Sequence, residues 1–141
     1  MTKKKIILNA GIYDLCHFGH LNLLRRMKDA GDRLVVVIHD DLSCFKIKDK
    51  FPVQTLAHRI RNLKLTGLVD EIVVTRNIDP YLEFNKILIK YKKHEIIYMR
   101  GDDLKDNFPG QWLLKQRDIK IKFLPYTKGV SSTKIRDMLI K

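Results

Sequence analysis

Five short, largely apolar runs are spaced along this chain, and helical stripes fall between them. No other feature constrains the fold as much. The runs are Ile6 to Ala10, Leu34 to Ile38, Glu71 to Thr75, Glu95 to Met99 and Ile119 to Leu124. Short β-branched runs of this kind predict buried strands. Leu23, Met27 and Ala30 then share one helical face, with Gly31 placed to end that helix, and Leu56, Ile60 and Leu63 form a second stripe. Phe84, Ile87, Leu88 and Tyr91 form a third, and Asp79-Pro80 predicts its start, with Asp79 as N-cap and Pro80 at the first helical position. Ser131 or Ser132 is expected to cap a last helix carrying Ile135, Met138 and Leu139. Strands alternating with helices predict one α/β domain over residues 1–141, a parallel five-stranded sheet with helices on both faces. Such sheets bind ligands outside the carboxyl ends of their strands. Attention therefore falls on the turns after Ala10, Ile38, Thr75, Met99 and Leu124.

The turn after the first strand reads Gly11-Ile12-Tyr13-Asp14-Leu15-Cys16-His17-Phe18-Gly19-His20. It holds neither a GxGxxG fingerprint nor a GxxxxGK[ST] phosphate loop. Its His17 and His20 lie at the mouth of a helix, where imidazoles can donate to phosphate oxygens and the helix adds backbone N–H groups and its dipole. Gly19 lets a phosphate approach the backbone closely. The bland alternative is two unrelated histidines, one of them capping the helix. His-x-x-His alone is a weak zinc signal, and no protein metal site is expected.

Charge and cysteines narrow the setting. A formal net charge of +12 suits a phosphate-bearing partner, although a lysine-rich solvated surface explains many of these charges equally well. Cys16 and Cys44 form no CxxC pair, which fits a reducing compartment. No run approaches 18 apolar residues, and the apolar stretch after the N-terminal lysines stops at three residues. The expectation is a cytoplasmic protein with no membrane partner.

The first turn resembles the GTFDxxHxGH signature of the HxGH nucleotidyltransferases. Tyr126-Thr127-Lys128-Gly129-Val130-Ser131-Ser132-Thr133-Lys134-Ile135 is similar to the RTEGISTTxI segment of the cytidylyltransferases. Between them, Val69-Asp70-Glu71-Ile72 and Arg100-Gly101-Asp102-Asp103 resemble the family's VDEV and MGDD elements. The match is collinear over nearly the whole chain. It implies a Rossmann-like domain that transfers CMP from CTP to a phosphorylated small molecule, a polyol phosphate or amino-alcohol phosphate, and releases pyrophosphate. Mg²⁺ would arrive with the triphosphate. An ATP-dependent adenylyltransferase is the nearest alternative. A non-catalytic nucleotide-binding or nucleic-acid-binding domain is a further one, disfavoured because a pure binder does not need both signatures.

The same resemblance implies roles. His17 and His20 would bind the triphosphate and stabilise charge at the α-phosphate. Gly11, Ile12, Tyr13, Gly19, Asp102, Asp103, Tyr126, Thr127, Gly129, Val130, Ser131, Ser132 and Thr133 would complete the nucleotide site. Lys46 and Lys48, in what reads as a basic loop after the second strand, would contact phosphate in catalysis and substrate binding. Arg59 on the following helix would contact substrate; the bland alternative is a surface arginine. Related enzymes are homodimers, and Val69 to Val73 resembles a segment near their interface. The pattern breaks at Ile12 (threonine in the family), Gly67-Leu68 (Arg-Tyr), Tyr126 (arginine) and Lys128 (glutamate). Tyrosine does not replace arginine at an anion site.

Overall fold

The computed structural model describes residues 3–102, 107–125 and 135. All five strands form: β1 (Lys5–Gly11), β2 (Arg33–His39), β3 (Glu71–Thr75), β4 (Glu95–Gly101) and β5 (Lys120–Leu124). They make one parallel sheet in the order β3-β2-β1-β4-β5. The chain steps outward from β1 to β3, then returns to lay β4 against the other side of β1. The topological switch point lies between β1 and β4, and its crevice is where such a sheet takes a ligand.

Alternation along each strand divides the core in two. Ile6, Leu8, Val35, Val37, Ile96 and Tyr98 face one side, where α4 (Tyr81–Lys90) contributes Phe84, Ile87 and Leu88 and α5 (Gln111–Gln116) contributes Leu113 and Leu114. Ile7, Leu34, Val36, Ile38, Ile97 and Met99 face the other, against Leu24 and Met27 of α1 (Phe18–Asp29) and Leu63 of α3 (Leu56–Leu65). Strands covered on both faces read as continuous apolar runs, which is why they were legible.

Two local expectations are corrected. The lysine-bearing stretch after β2 is not a loop but a helix, α2 (Asp41–Lys48). Asp40 caps it by accepting from the Ser43 amide at 2.8 Å, and Asp49 ends it in a left-handed conformation. The helix α4 begins at Tyr81, with Pro80 as N-cap and the Asp79 carboxylate accepting from the Tyr81 amide at 3.1 Å. The sequence also missed α5, whose six residues are too few to repeat a helical period. The cap expected at Ser131 or Ser132 lies outside the described residues.

Candidate active site

The turn joining β1 to α1 is held in a conformation its residues would not adopt alone. Tyr13 (φ 56°) and Leu15 (φ 51°) both occupy the left-handed region, at a cost of roughly 1–2 kcal/mol each. Several side chains hold them there. The Asp14 carboxylate accepts from the amides of Val53 (2.8 Å) and Gln54 (2.9 Å), and the Gln54 side chain accepts from the Leu15 amide at 2.9 Å. The Tyr13 hydroxyl donates to Asn9, whose amide nitrogen donates to the Met99 carbonyl at 2.8 Å. The turn is thereby fastened to β1, to β4 and to the segment that precedes α3. Burial holds the Tyr13 hydroxyl well above the ordinary tyrosine pKa, so it stays protonated as a donor.

Arg59 is the centre of this scaffold. Its side chain is fully buried. Nη1 donates to the carbonyls of Ile12 and His39, both at 2.8 Å; Nε donates to the Gln54 carbonyl at 3.2 Å; Nη2 meets the Asp41 carboxylate at 2.6 Å. The surface arginine that the sequence also allowed is not what the fold contains. Four directional donations join the ends of β1 and β2 to α2 and to the α3 entrance, which only a planar guanidinium can do.

His17 and His20 build the N-terminus of α1. His17 Nδ1 accepts from the Gly19 amide at 3.0 Å, and His20 Nδ1 accepts from the His17 amide at 3.2 Å, a reciprocal capping box made of imidazoles. The rings stack with centroids 4.0 Å apart. Since both Nδ1 atoms accept, each neutral ring carries its proton on Nε2, and each Nε2–H is a donor. Burial lowers the His17 pKa. Burial, then the neighbouring His17, pushes His20 down to about 4, and the Lys48 ammonium acts in the same direction. At neutral pH the pair is two uncharged, oriented donors at the positive end of a helix. The capping alternative and the phosphate-binding expectation are thus compatible: Nδ1 caps, and no hydrogen bond from Nε2 is found among the described residues.

The two lysines separate. On an α-helix two residues are about 200° apart, so Lys46 and Lys48 of α2 project to nearly opposite sides. Lys48 lies i+7 from Asp41, the partner of Arg59, and belongs to the electrostatic surroundings of His20 and Cys44. Lys46 does not share that flank. Across the switch point, Gly101 ends β4, and the Asp102 amide donates to the Leu124 carbonyl at 2.9 Å, tying the turn after β4 to β5. Gly11 ends β1, where a Cβ would come within 2.9 Å of the Tyr13 ring. Asp103, Tyr126, Thr127, Gly129, Val130, Ser131, Ser132 and Thr133 lie outside the described residues. Among the described residues no three His, Cys, Asp or Glu side chains converge on a metal-sized site.

Sequence reasoning overlooked Asn9, Gln54 and His39. Asn9 had a signal, since it is the one polar residue inside the first apolar run. His39 is buried at the end of β2 with Nδ1 3.3 Å from the Ser43 hydroxyl, and burial pushes its pKa down to about 4. Gln54 had no local signal, because its role comes from a turn 39 residues away.

An open parallel sheet with an anion-ready helix N-terminus beside its switch point defines an α/β nucleotide-binding class. A family model described as cytidylyltransferase-like matches residues 8–138, and the chain belongs to that family of nucleotidyltransferases. It is 32% identical to glycerol-3-phosphate cytidylyltransferase of Bacillus subtilis (strain 168), over 94% of this chain and 95% of the relative. It is 30% identical to the bifunctional protein HldE of Nitrosococcus oceani over 96% of this chain, and there it spans only 28% of the relative's length. FAD synthase of Thermococcus sibiricus is 37% identical over 52% of this chain and 51% of its own. No helix among the described residues is long and apolar enough to cross a membrane.

Proposed function

We propose that this nucleotidyltransferase moves CMP from CTP to a phosphorylated small molecule. The observation that carries the reading is the His17–His20 pair: two neutral rings, each locked through Nδ1 so that Nε2–H is a donor, at the N-terminus of a helix beside the switch point. An oxygen of the acceptor phosphate attacks Pα of the triphosphate. The new P–O bond forms in line as the bond from Pα to the bridging oxygen of Pβ breaks, and pyrophosphate leaves. The acceptor phosphate is already ionised near neutral pH, so no strong general base is needed. The work is positioning and charge stabilisation. His17 and His20 donate to the triphosphate oxygens, and the Gly19 turn admits them close to the backbone. Lys48 supplies positive charge from the α2 flank. Mg²⁺ entering as part of the triphosphate substrate would add charge neutralisation with few protein ligands. A homodimer acting in the cytoplasm, with neither membrane nor nucleic acid as partner, completes the reading.

CTP as donor is supported by the 32% identity to a glycerol-3-phosphate cytidylyltransferase along nearly the full length of both chains. The second reading, an ATP-dependent adenylyl transfer, is favoured by the similarity to a protein named FAD synthase, whose named product contains adenine. Calorimetric titration with CTP, ATP, GTP and UTP, followed by pyrophosphate release with a panel of phosphorylated acceptors, tests both. CTP should bind most tightly. ATP binding about tenfold tighter than CTP, roughly 1.4 kcal/mol, replaces the cytidylyl reading with the adenylyl one. Full activity in excess chelator overturns the Mg²⁺ assignment.

A further inference from the structure

Arg100 has no part in the scaffold described above, and its surroundings are unusual for a cation. It is the last side chain of β4, one residue before Gly101 ends the strand at the switch point. Ile96 and Tyr98 face the α4 and α5 side of the sheet, and Arg100 continues that alternation. Its guanidinium carbon lies 4.7 Å from the centre of the Phe108 ring, which belongs to the same core. The Tyr98 hydroxyl lies beside it, and burial pushes that phenol up to about 12, so it is neutral and does not balance the charge. No carboxylate among the described residues, Asp102 included, forms an ion pair with Arg100. Its Nε is buried without a hydrogen-bond partner.

A partly buried guanidinium loses hydration, and a ring face returns only part of it. Two other arginines of the fold are answered differently. Arg59 directs Nε to the Gln54 carbonyl and Nη2 to Asp41, and Arg33 directs Nε to the Tyr91 hydroxyl and Nη2 to Glu71. The histidines lie across the sheet from Arg100. Helix α1 packs on the opposite face, where Leu24 and Met27 join Ile97 and Met99, and His17 and His20 open that helix. Tyr13 links the two sides: its ring lies 5.3 Å from the His20 ring, and its hydroxyl feels the Arg100 charge. In phosphoryl-type transfer the attacking and leaving oxygens stand roughly in line, on opposite sides of the phosphorus. With pyrophosphate leaving on the histidine side, the attacking phosphate comes from the side that Arg100 occupies. A guanidinium fork can pair two oxygens of a phosphate monoester and leave the third to attack.

Resting on the transferase reading above, we propose that Arg100 binds the phosphate of the acceptor, pairing two of its oxygens and presenting the third to Pα from the side of the sheet opposite the histidines. That third oxygen forms the new bond to Pα as the bond to the pyrophosphate oxygen breaks, and Arg100 keeps its protons throughout. The test is R100M in the full chain, which keeps a long side chain over Phe108 and installs the methionine of the MGDD element. Pyrophosphate release is followed with the tightest-binding nucleoside triphosphate and whichever of glycerol 3-phosphate, phosphoethanolamine and ribose 5-phosphate the wild type uses best. The acceptor KM should rise at least about tenfold, the scale of one charge-assisted hydrogen bond. The nucleotide Kd, measured by calorimetry, should stay within about twofold. The urea midpoint should not fall, because the substitution removes a buried donor that has no partner. An unchanged acceptor KM overturns the proposal and leaves the transferase reading standing. So does a loss of nucleotide affinity as large as the rise in KM, which assigns Arg100 to the donor, or a rise in KM with a lower midpoint, which marks a packing role. Release from none of the three acceptors by the wild type overturns the transferase reading and this proposal together.

Discussion

Two helices open at the same edge of the sheet, and they are prepared for opposite company. Helix α1 follows β1 and has no acidic residue in its first turn; its cap is a pair of neutral imidazoles whose Nε2–H groups remain free of the cap. Helix α4 follows β3, has Glu83 in its first turn, and is preceded by Asp79. That carboxylate accepts from the Tyr81 amide and from the Trp112 indole at 2.9 Å. The positive end of α4 is already answered by protein carboxylates, whereas the first turn of α1 carries none. The comparison shows why only one of two similarly placed helix ends is a candidate for triphosphate. It also shows that the α1 end depends on a distant arginine, while the α4 end depends on its own neighbours.

The largest effect is expected where that distant support is removed. Arg59→Leu strips the Ile12, His39 and Gln54 carbonyls of a donor and leaves Asp41 without its cation. Stability should fall by about 3 kcal/mol or more, on the scale of breaking a buried charged network. Urea unfolding measures it, and a loss below about 1 kcal/mol would mean that Arg59 does not organise the α1 entrance.

Next come the histidines. His17→Ala and His20→Ala should each lower kcat at least about a hundredfold, on the scale of losing a preorganised donor to the transition state. Asp79→Ala at the α4 end should leave kcat within about threefold. Near-wild-type turnover in both histidine variants, in a steady-state assay, would erase the distinction between the two helices.

Acid sharpens the same contrast. The folded pKa of His20 is about 4, against an ordinary value of 6.5, so the unfolded chain binds the proton first. The stability tied to the neutral ring is complete above about pH 6.5 and is lost as pH falls from there towards 4, at up to about 1.4 kcal/mol per pH unit. His39, also at about 4, adds a slope of the same sign. His20→Gln should flatten the pH dependence of urea midpoints across this window. An unchanged slope would show that His20 protonates as readily in the fold as out of it.

The smallest effect belongs to the α4 end. Asp79→Ala removes a helix-start acceptor and the Trp112 bond, and should cost about 1 kcal/mol in thermal or urea unfolding. A loss several times larger would place Asp79 in the scaffold beside Arg59.

The sequence by itself determined the five strands, three of the helical stripes and the His17-Phe18-Gly19-His20 turn. Each is written in local periodicity or in adjacent residues, and burial on both sheet faces makes the strand runs continuous. Only the tertiary structure decided the rest. Strand order depends on which side of β1 receives β4, a choice that local patterning does not contain. Arg59 reads in its own helix as a substrate contact or a surface arginine, and its engagement with four partners was hidden because its acceptors come from positions 12, 39, 41 and 54. The lysines at 46 and 48 look equivalent in an alternating run until α2 forms and turns them to opposite sides. The charge state of the histidines was equally hidden, since it follows from two Nδ1 atoms accepting backbone hydrogens and from the burial of the rings. Residue type is a local property, but desolvation and hydrogen-bond partnership are set by what distant segments bring alongside.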